Sequence, residues 1–454
     1  MPDVPPHWSW FNQARLGLFI HWGPYAMPAR GEQVLIRELL DQQAYARTAC
    51  AWNPAAFDAR AWARTARAAG FRYAVLTTRH HDGFCLWDSR LTDYSSARQA
   101  AGRDFVREYA DAFRAEGLKV GLYYSLADWR IPAYFAGPTR DPAGWARFRD
   151  YVHGQVAELL GNYGDICEFW FDGAWPRNAA AWDSVGLLRT MRRLQPGILV
   201  NNRLDSRDPD APPPPPGQIE AAGESRVLGD FGTPEHHTTA DPDRLWEACH
   251  TTTARLWGYT AGERWRDAVQ VLDLLTDAAG KGGNLLLNVG PDADGRLPGE
   301  FHEICRRLGP WMAVHGECIH GSEGGREPGE SVTWGRMIRK GEQLYLVVRF
   351  WDGRGELVVH GLGTAVRRAT LLGSDAVLGL RQDADHVVVT GLPRIPPTDL
   401  FPVIRLDCAG RPEATPRYHG LWGGDPMRYH AWAAARGTSV WADGRERDVR
   451  TACG

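Results

Sequence analysis

Asp172 stands at the exit of an apolar run. In Phe169-Trp170-Phe171-Asp172-Gly173 the residues before it have the aromatic and apolar character of a core strand, and a turn glycine follows at once. An ionised carboxylate is costly to bury without partners, so an Asp in this place marks either a simple Asp-Gly turn or a site whose other groups neutralise it. Comparable polar groups close other apolar runs: His21, then His80-His81-Asp82, then Tyr123 and Tyr124, then Asn202-Arg203. Carboxylate, imidazole, phenol and guanidinium are the groups of nucleophilic and acid–base chemistry. Their recurrence at run ends favours the site over the turn.

The elements that would position them alternate. From residue 15 to about 315, β-type runs at 16–21, 73–78, 120–124, 167–171, 198–202, 227–231, 254–259 and 285–289 are separated by amphipathic stretches. Helices are expected at 59–69 and 105–116, stopped near Gly70 and Gly117, and at 143–160, 182–194, 266–279 and 298–315. Eight strands with interleaved helices predict a (β/α)8 barrel, irregular around strands five to seven. Barrel enzymes carry their chemistry at the C-terminal ends of the strands, where these polar clusters fall. The pattern divides the chain into a catalytic barrel at 1–322, a β-sandwich at 323–409 and a tail at 410–454. The proline-rich stretch 206–228, with Pro212 to Pro216 in a row, reads as an extended insertion in the barrel. The sandwich rests on alternating runs such as 344–349, 356–360 and 386–390, which suit antiparallel strands.

Composition narrows the function classes. Across 454 residues the formal net charge is −3, without blocks of like charge, which speaks against a nucleic-acid partner. The sequence lacks the run of roughly eighteen apolar residues that a membrane helix needs. Its start, MPDVPPHWSWF, has neither the basic nor the apolar segment of an export signal, so a cytoplasmic location is expected. Eight cysteines without a CxxC fit neither a disulfide framework nor a zinc site. Twenty tryptophans supply indole faces of the kind that pack on the apolar side of a sugar ring.

Five ordered blocks carry a family resemblance. Phe19-Ile20-His21-Trp22-Gly23-Pro24-Tyr25, Leu76-Thr77-Thr78-Arg79-His80-His81-Asp82-Gly83-Phe84, Gly121-Leu122-Tyr123-Tyr124-Ser125, Trp170-Phe171-Asp172-Gly173 and Gly283-Asn284-Leu285-Leu286-Leu287-Asn288-Val289-Gly290-Pro291 resemble the signature blocks of the α-L-fucosidases of glycoside hydrolase family 29. The resemblance covers about residues 8 to 320, with a less specific likeness in the β-rich region beyond. It implies a retaining exo-glycosidase that releases terminal α-L-fucose from oligosaccharides or glycoconjugates by double displacement. Such an enzyme uses two carboxylates about 5–5.5 Å apart and needs no cofactor. By the same resemblance Asp172 is the nucleophile and Glu235, in Gly232-Thr233-Pro234-Glu235, the acid/base, with Glu247 in Trp246-Glu247-Ala248-Cys249 competing from an apparently short helix. His21, His80, His81 and Tyr123 match groups that bind sugar hydroxyls or the nucleophile. Arg203 matches a basic residue near the ring, and Trp170 and Trp257 match aromatics around its apolar face.

One departure bears on the substrate. The family usually shows Glu-Trp after the first strand, whereas this chain has Glu32-Gln33, so Glu32 keeps a hydroxyl contact while an indole is missing. One pocket contact shifts discrimination by only ~1–3 kcal/mol, which leaves open a related sugar such as L-galactose. Two other classes stand beside the fucosidase: a sugar-binding homologue that has lost hydrolysis, and a metal-dependent barrel hydrolase. Against the metal, neighbouring residues of a regular strand point to opposite faces, as His80 and His81 would, and neither HxH nor HExxH occurs. The expected partner is a fucosylated oligosaccharide, with no nucleic acid and no membrane, and assembly into a homo-oligomer is left open.

Overall fold

Inward-facing residues recur at every second position of the first long strands, and this period of two builds the core. The computed structural model describes residues 4–219, 224–241, 243–324, 332–384, 386–414, 433, 441–442 and 445–446. Residues 1–324 and 325–454 form two compact units. In the first, eight parallel strands run in the order β5-β4-β3-β2-β1-β8-β7-β6. They are β1 (Leu16–Ile20), β2 (Tyr73–Arg79), β3 (Lys119–Ser125), β4 (Glu168–Asp172), β5 (Leu199–Val200), β6 (Phe231–Gly232), β7 (Leu245–Thr251) and β8 (Asn284–Val289). Strands buried on both faces, as β1, β2 and β8 are throughout, are what a helix-covered parallel barrel requires. Phe19, Tyr73, Val75, Tyr123, Trp170, Leu199, Phe231, Cys249 and Leu286 form the interior cluster. Because side chains alternate, the next inward positions toward the C-terminal ends are His21, Ser125, Asp172 and Asn288.

Aspartates start the main covering helices. Asp58, Asp104, Asp141, Asp183 and Asp267 each accept a backbone N–H three residues on, ahead of helices Ala59–Ala68, Phe105–Ala115, Pro142–Asn162, Ser184–Leu194 and Ala268–Gly280. Gly70 and Gly117 follow two of them with φ of 96° and 74°, values that glycine adopts without steric cost. A last helix, Gly299–His315, follows β8.

The ring is weakest between β5 and β6. It is joined there by a single bridge, Asn201 to Phe231, by Asp230 N–H donating to Val200 O at 2.7 Å, and by the Asp230 carboxylate accepting Val200 N–H at 2.7 Å. Pairing resumes at β6, where Phe231 and Gly232 pair with Leu245 and Trp246 of β7, and beyond it Glu235 bridges Cys249. The seventh strand needs a correction. The run 254–259 is not a strand; Leu245–Thr251 is, because its seven residues are all buried and pair with β8 from Glu247 to Thr251. Glu247 thus lies in a strand and not in a short helix.

The described part of the insertion, 206–219 and 224–228, contains no helix or named strand. Arg177, from the loop after β4, ties it down through Asp208 at 3.2 Å and Asp210 at 3.0 Å. In the second unit a four-stranded antiparallel sheet is built from Gly335–Lys340, Gln343–Val348, Val366–Leu371 and Val403–Cys408. A three-stranded one is built from Glu356–His360, Gly379–Gln382 and His386–Thr390. Their alternate residues, among them Leu344, Leu346, Val359, Val387, Val389, Ile404 and Leu406, make one shared core, so the unit is a β-sandwich. Most of the tail at 410–454 lies outside the described residues.

Gly17 of β1 carries a packing requirement. A Cβ there would stand only 2.2–2.7 Å from three atoms of the Tyr73 ring. Gly17→Ala is expected to destabilise the fold by about 1–3 kcal/mol through overpacking. Urea unfolding measures this, and an unchanged midpoint would show that Tyr73 can move aside.

Candidate active site

Strand ends deliver the charged groups to one place. Asp172 closes β4 with 17% of its side chain exposed, and its Oδ2 accepts the Tyr123 hydroxyl at 3.0 Å. His81 Nε2 stands 3.6 Å from that oxygen, and Arg203 Nη1 stands 3.6 Å from Oδ1. Burial alone would push the Asp172 carboxyl up, but His81, Arg203, the Gly173 N–H and Tyr123 hold it below the usual carboxylate range. Asp172 is therefore ionised at neutral pH.

Arg203 organises the cluster. Its Nη2 pairs with Glu235 at 2.9 Å and with Glu224 at 3.7 Å, while Thr233 holds its Nε through the hydroxyl at 3.0 Å and its Nη2 through the carbonyl at 3.1 Å. Burial disfavours its charge, but Glu235, Asp172 and Glu224 more than offset this and keep the guanidinium protonated. Glu235 is 30% exposed at its side chain, more open than Asp172. The residue after it, His236, takes φ of 61°, a left-handed conformation uncommon outside glycine and enriched at functional sites. The His236 ring lies 5.1 Å from Trp257 at 32°.

The histidines line the pocket as neutral groups. Burial lowers His21 to about 3, with Asn288 and Asp172 opposing, and lowers His81 to about 4, with Asp172 opposing and Arg79 assisting. Burial, with His81 and His21 nearby, also brings His80 well below its ordinary value. His21 Nδ1 meets Asn288 Oδ1 at 2.7 Å, and His81 Nδ1 meets Ser125 Oγ at 2.6 Å. The His80 ring packs 4.0 Å from that of His81 and stacks on Tyr123 at 5.8 Å. Such a pocket offers hydrogen bonds without a field for an anion beyond the one arginine, which suits a neutral, polyhydroxylated substrate. Among the described residues no group of three or more His, Cys, Asp or Glu is arranged to hold a metal ion.

The remaining sequence candidates play supporting parts. Glu32 is 3% exposed, and its Oε2 accepts the backbone N–H of Trp257 at 3.0 Å and of Gly258 at 2.9 Å, fixing the half-buried Trp257. Trp170 is 2% exposed and lies beneath the cluster, with Arg203 4.7 Å above its ring centre and Tyr123 stacked at 6.0 Å. Glu247 is sealed in the barrel at 0% exposure, with its oxygens bound by Tyr73 and Trp170, and has no path to a leaving group. Asn288, Thr233, His236 and Glu224 escaped the sequence reading. Asn288 is the last inward-facing residue of β8, one before its end, and its Nδ2 also donates to Trp257 O at 2.7 Å. Glu224 had no signal, since it stands in a proline-rich stretch without periodicity.

A family model described as Alpha-L-fucosidase matches residues 3–317. This chain belongs to the α-L-fucosidase family. Human tissue α-L-fucosidase is 27% identical over 427 residues, 87% of each chain. Among solved structures, α-L-fucosidase isoenzyme 1 from Paenibacillus thiaminolyticus is 38% identical, with a TM-score of 0.78 over 89% of this chain and 99% of that one. A family 29 α-L-fucosidase from Bacteroides thetaiotaomicron is 29% identical, with a TM-score of 0.79 over 90% and 96%. Another structure of a family 29 α-L-fucosidase from Bacteroides thetaiotaomicron, at 28% identity, a TM-score of 0.80 and 90% and 97% coverage, is described as a trapped covalent intermediate in complex with 2-fluoro-fucosyl fluoride, obtained with a glutamate-to-glutamine mutant. The chain is accordingly a glycoside hydrolase that releases fucose, with a fucosylated glycan as substrate.

The buried histidines give this fucosidase a stability signature. As pH falls below ~6.5 the unfolded chain takes up protons on His21, His80 and His81 that the folded chain refuses, so these three residues contribute a loss of stability as pH falls toward 4. Asp172, depressed in the fold, adds its own loss only below its ordinary value of ~3.9. Asp82 and Glu247, pushed up by burial to about 6 and about 7, act in the opposite sense over this range, so the histidine contribution is read as a difference: from pH 7 to pH 4.5 the urea midpoint is expected to fall further, or rise less, in the wild type than in His80→Asn. Equal slopes in the two proteins would mean that His80 is protonated in the folded state.

Proposed function

We propose that this fucosidase removes terminal α-L-fucose with retention of configuration, using Asp172 as nucleophile and Glu235 as acid/base. The observation that carries the reading is the shared guanidinium: Asp172 and Glu235 sit on different nitrogens of Arg203, at 3.6 Å and 2.9 Å. Two carboxyl groups held by one guanidinium support the pairing of nucleophile and acid/base that a retaining mechanism needs. The covalent intermediate trapped in the Bacteroides thetaiotaomicron relative supports the same course.

In the first step an Asp172 oxygen attacks the anomeric carbon, the glycosidic bond breaks, and Glu235 gives its proton to the departing oxygen. The fucosyl group is then joined to Asp172 with inverted configuration. In the second step Glu235 takes a proton from water, the water oxygen attacks the anomeric carbon, and the bond to Asp172 breaks, so two inversions give net retention. Asp172 suits the first role because it is ionised. Glu235 suits the second because its exposed carboxyl can reach both leaving group and water. His21, His80, His81, Tyr123 and Trp257 would hold the sugar, with the neutral imidazoles as hydrogen-bonding groups. Trp170 supports them from beneath, and Glu32 acts through the Trp257 backbone.

Release of nitrophenol from 4-nitrophenyl α-L-fucoside tests the assignment. Asp172→Asn is expected to abolish turnover, and Glu235→Ala to reduce it by roughly 10²–10⁴-fold, with partial rescue by azide and an α-L-fucosyl azide as product, since azide takes the place of water in the second displacement. Full turnover by Asp172→Asn would overturn the reading.

A further inference from the structure

Two carboxyl groups are shut inside the barrel below the catalytic cluster, and the reaction as described uses neither. Glu168, at the start of β4, and Glu247, in β7, are both 0% exposed. Neither oxygen of Glu168 has a hydrogen-bond partner. Burial and the nearby Glu247 push its carboxyl well up, so it stays protonated. Glu247 is also pushed up by burial, but hydrogen bonds from Tyr73 and Trp170 oppose the rise, which makes it the member of the pair that ionises first. The other groups facing this pocket are the Tyr73 hydroxyl, which also accepts Asn284 Nδ2 at 3.2 Å; Arg15, 3.4 Å from Asn284 Oδ1; and the thiols of Cys167 and Cys249.

Packed apolar residues in place of a buried charged group are often neutral or stabilising. The buried pair therefore calls for a use beyond stability. The contacts of Glu247 supply one. Its Oε1 accepts the indole N–H of Trp170 at 3.0 Å, and Arg203 rests 4.7 Å above the centre of that indole. A carboxylate acceptor fixes the rotation of the ring and enriches its π face in electrons, and an electron-rich face holds a guanidinium more firmly. Arg203 in turn touches Asp172 and Glu235.

We propose that Glu247 is a positioning residue of the hydrolysis, which fixes Arg203 between the nucleophile and the acid/base through the indole of Trp170. The inference rests on the assignment of Asp172 and Glu235 made above. Its test is a double-mutant cycle on 4-nitrophenyl α-L-fucoside hydrolysis with Glu247→Gln, Trp170→Phe and both together, beside urea unfolding of each protein. Glu247→Gln is expected to lower kcat by about tenfold, with KM changed less than about twofold, in a protein at least as stable as the wild type. In the Trp170→Phe background, where the indole N–H is gone, the same substitution should change kcat by less than about twofold. Should Glu247→Gln fail to fold, Glu247→Met is read in its place. An unchanged kcat, or equal penalties in both backgrounds, would overturn the inference. The two readings fail differently: a faulty site assignment appears as turnover by Asp172→Asn, a faulty role for Glu247 as wild-type kcat in Glu247→Gln beside an inactive Asp172→Asn.

Discussion

The buried guanidinium of Arg203 is the interaction on which the rest of the site depends. A charge taken out of water must be matched by partners in good geometry, or it costs several kcal/mol. Here Asp172 supplies opposite charge, the carboxyl groups of Glu235 and Glu224 stand 2.9 Å and 3.7 Å away, and Thr233 takes up the N–H groups they leave. The same requirement works in reverse on the carboxylates, since Asp172 stays ionised in an apolar surrounding only because of its neighbours. With His81 neutral at working pH, the lasting counter-charge of Asp172 is Arg203. One residue, three places beyond a two-residue strand, thus decides the charge state of the nucleophile.

Around this centre the pocket is held by neutral hydrogen bonds. Asn288 binds the His21 ring with its carbonyl and the Trp257 backbone with its amide, so one side chain joins β8 to both. Glu32 holds the Trp257 backbone from the other side. Close backbone packing completes the wall: a Cβ at Gly258 would stand 2.9 Å from Glu32 N. Groups fixed in this way need little rearrangement when a substrate arrives, which is the main means by which a polar site lowers a barrier.

The barrel is regular where it supports the nucleophile and irregular where it carries the second carboxylate. β1 to β4 pair over long registers, whereas β5 and β6 have two residues each and meet through one bridge. Glu235 lies past this seam, secured by pairing with Cys249. The proline-rich insertion enters the chain between Arg203 and Glu235, at the place where the ring makes fewest hydrogen bonds of its own.

Much of this was legible in the residues. The eight-strand count, the main helices and the placing of polar groups at strand ends follow from periodicity and from the glycines that stop helices, because those signals are local. Asp172, His21, His81 and Tyr123 were legible for the same reason, each ending an apolar run. The seventh strand was not: Leu245–Thr251 carries Glu and His among its inward and outward positions, so its alternation does not look apolar, and its strand character comes from pairing with β8. Glu247 was misjudged with it, since a carboxylate inside a barrel is tolerable only through Tyr73 and Trp170, which lie 174 and 77 residues away in the chain. The sequence by itself determined the architecture and the residue types at the strand ends. Only the tertiary structure decided which carboxylates share Arg203 and which are sealed beneath it, because charge balance in a buried site depends on distances between segments far apart in sequence.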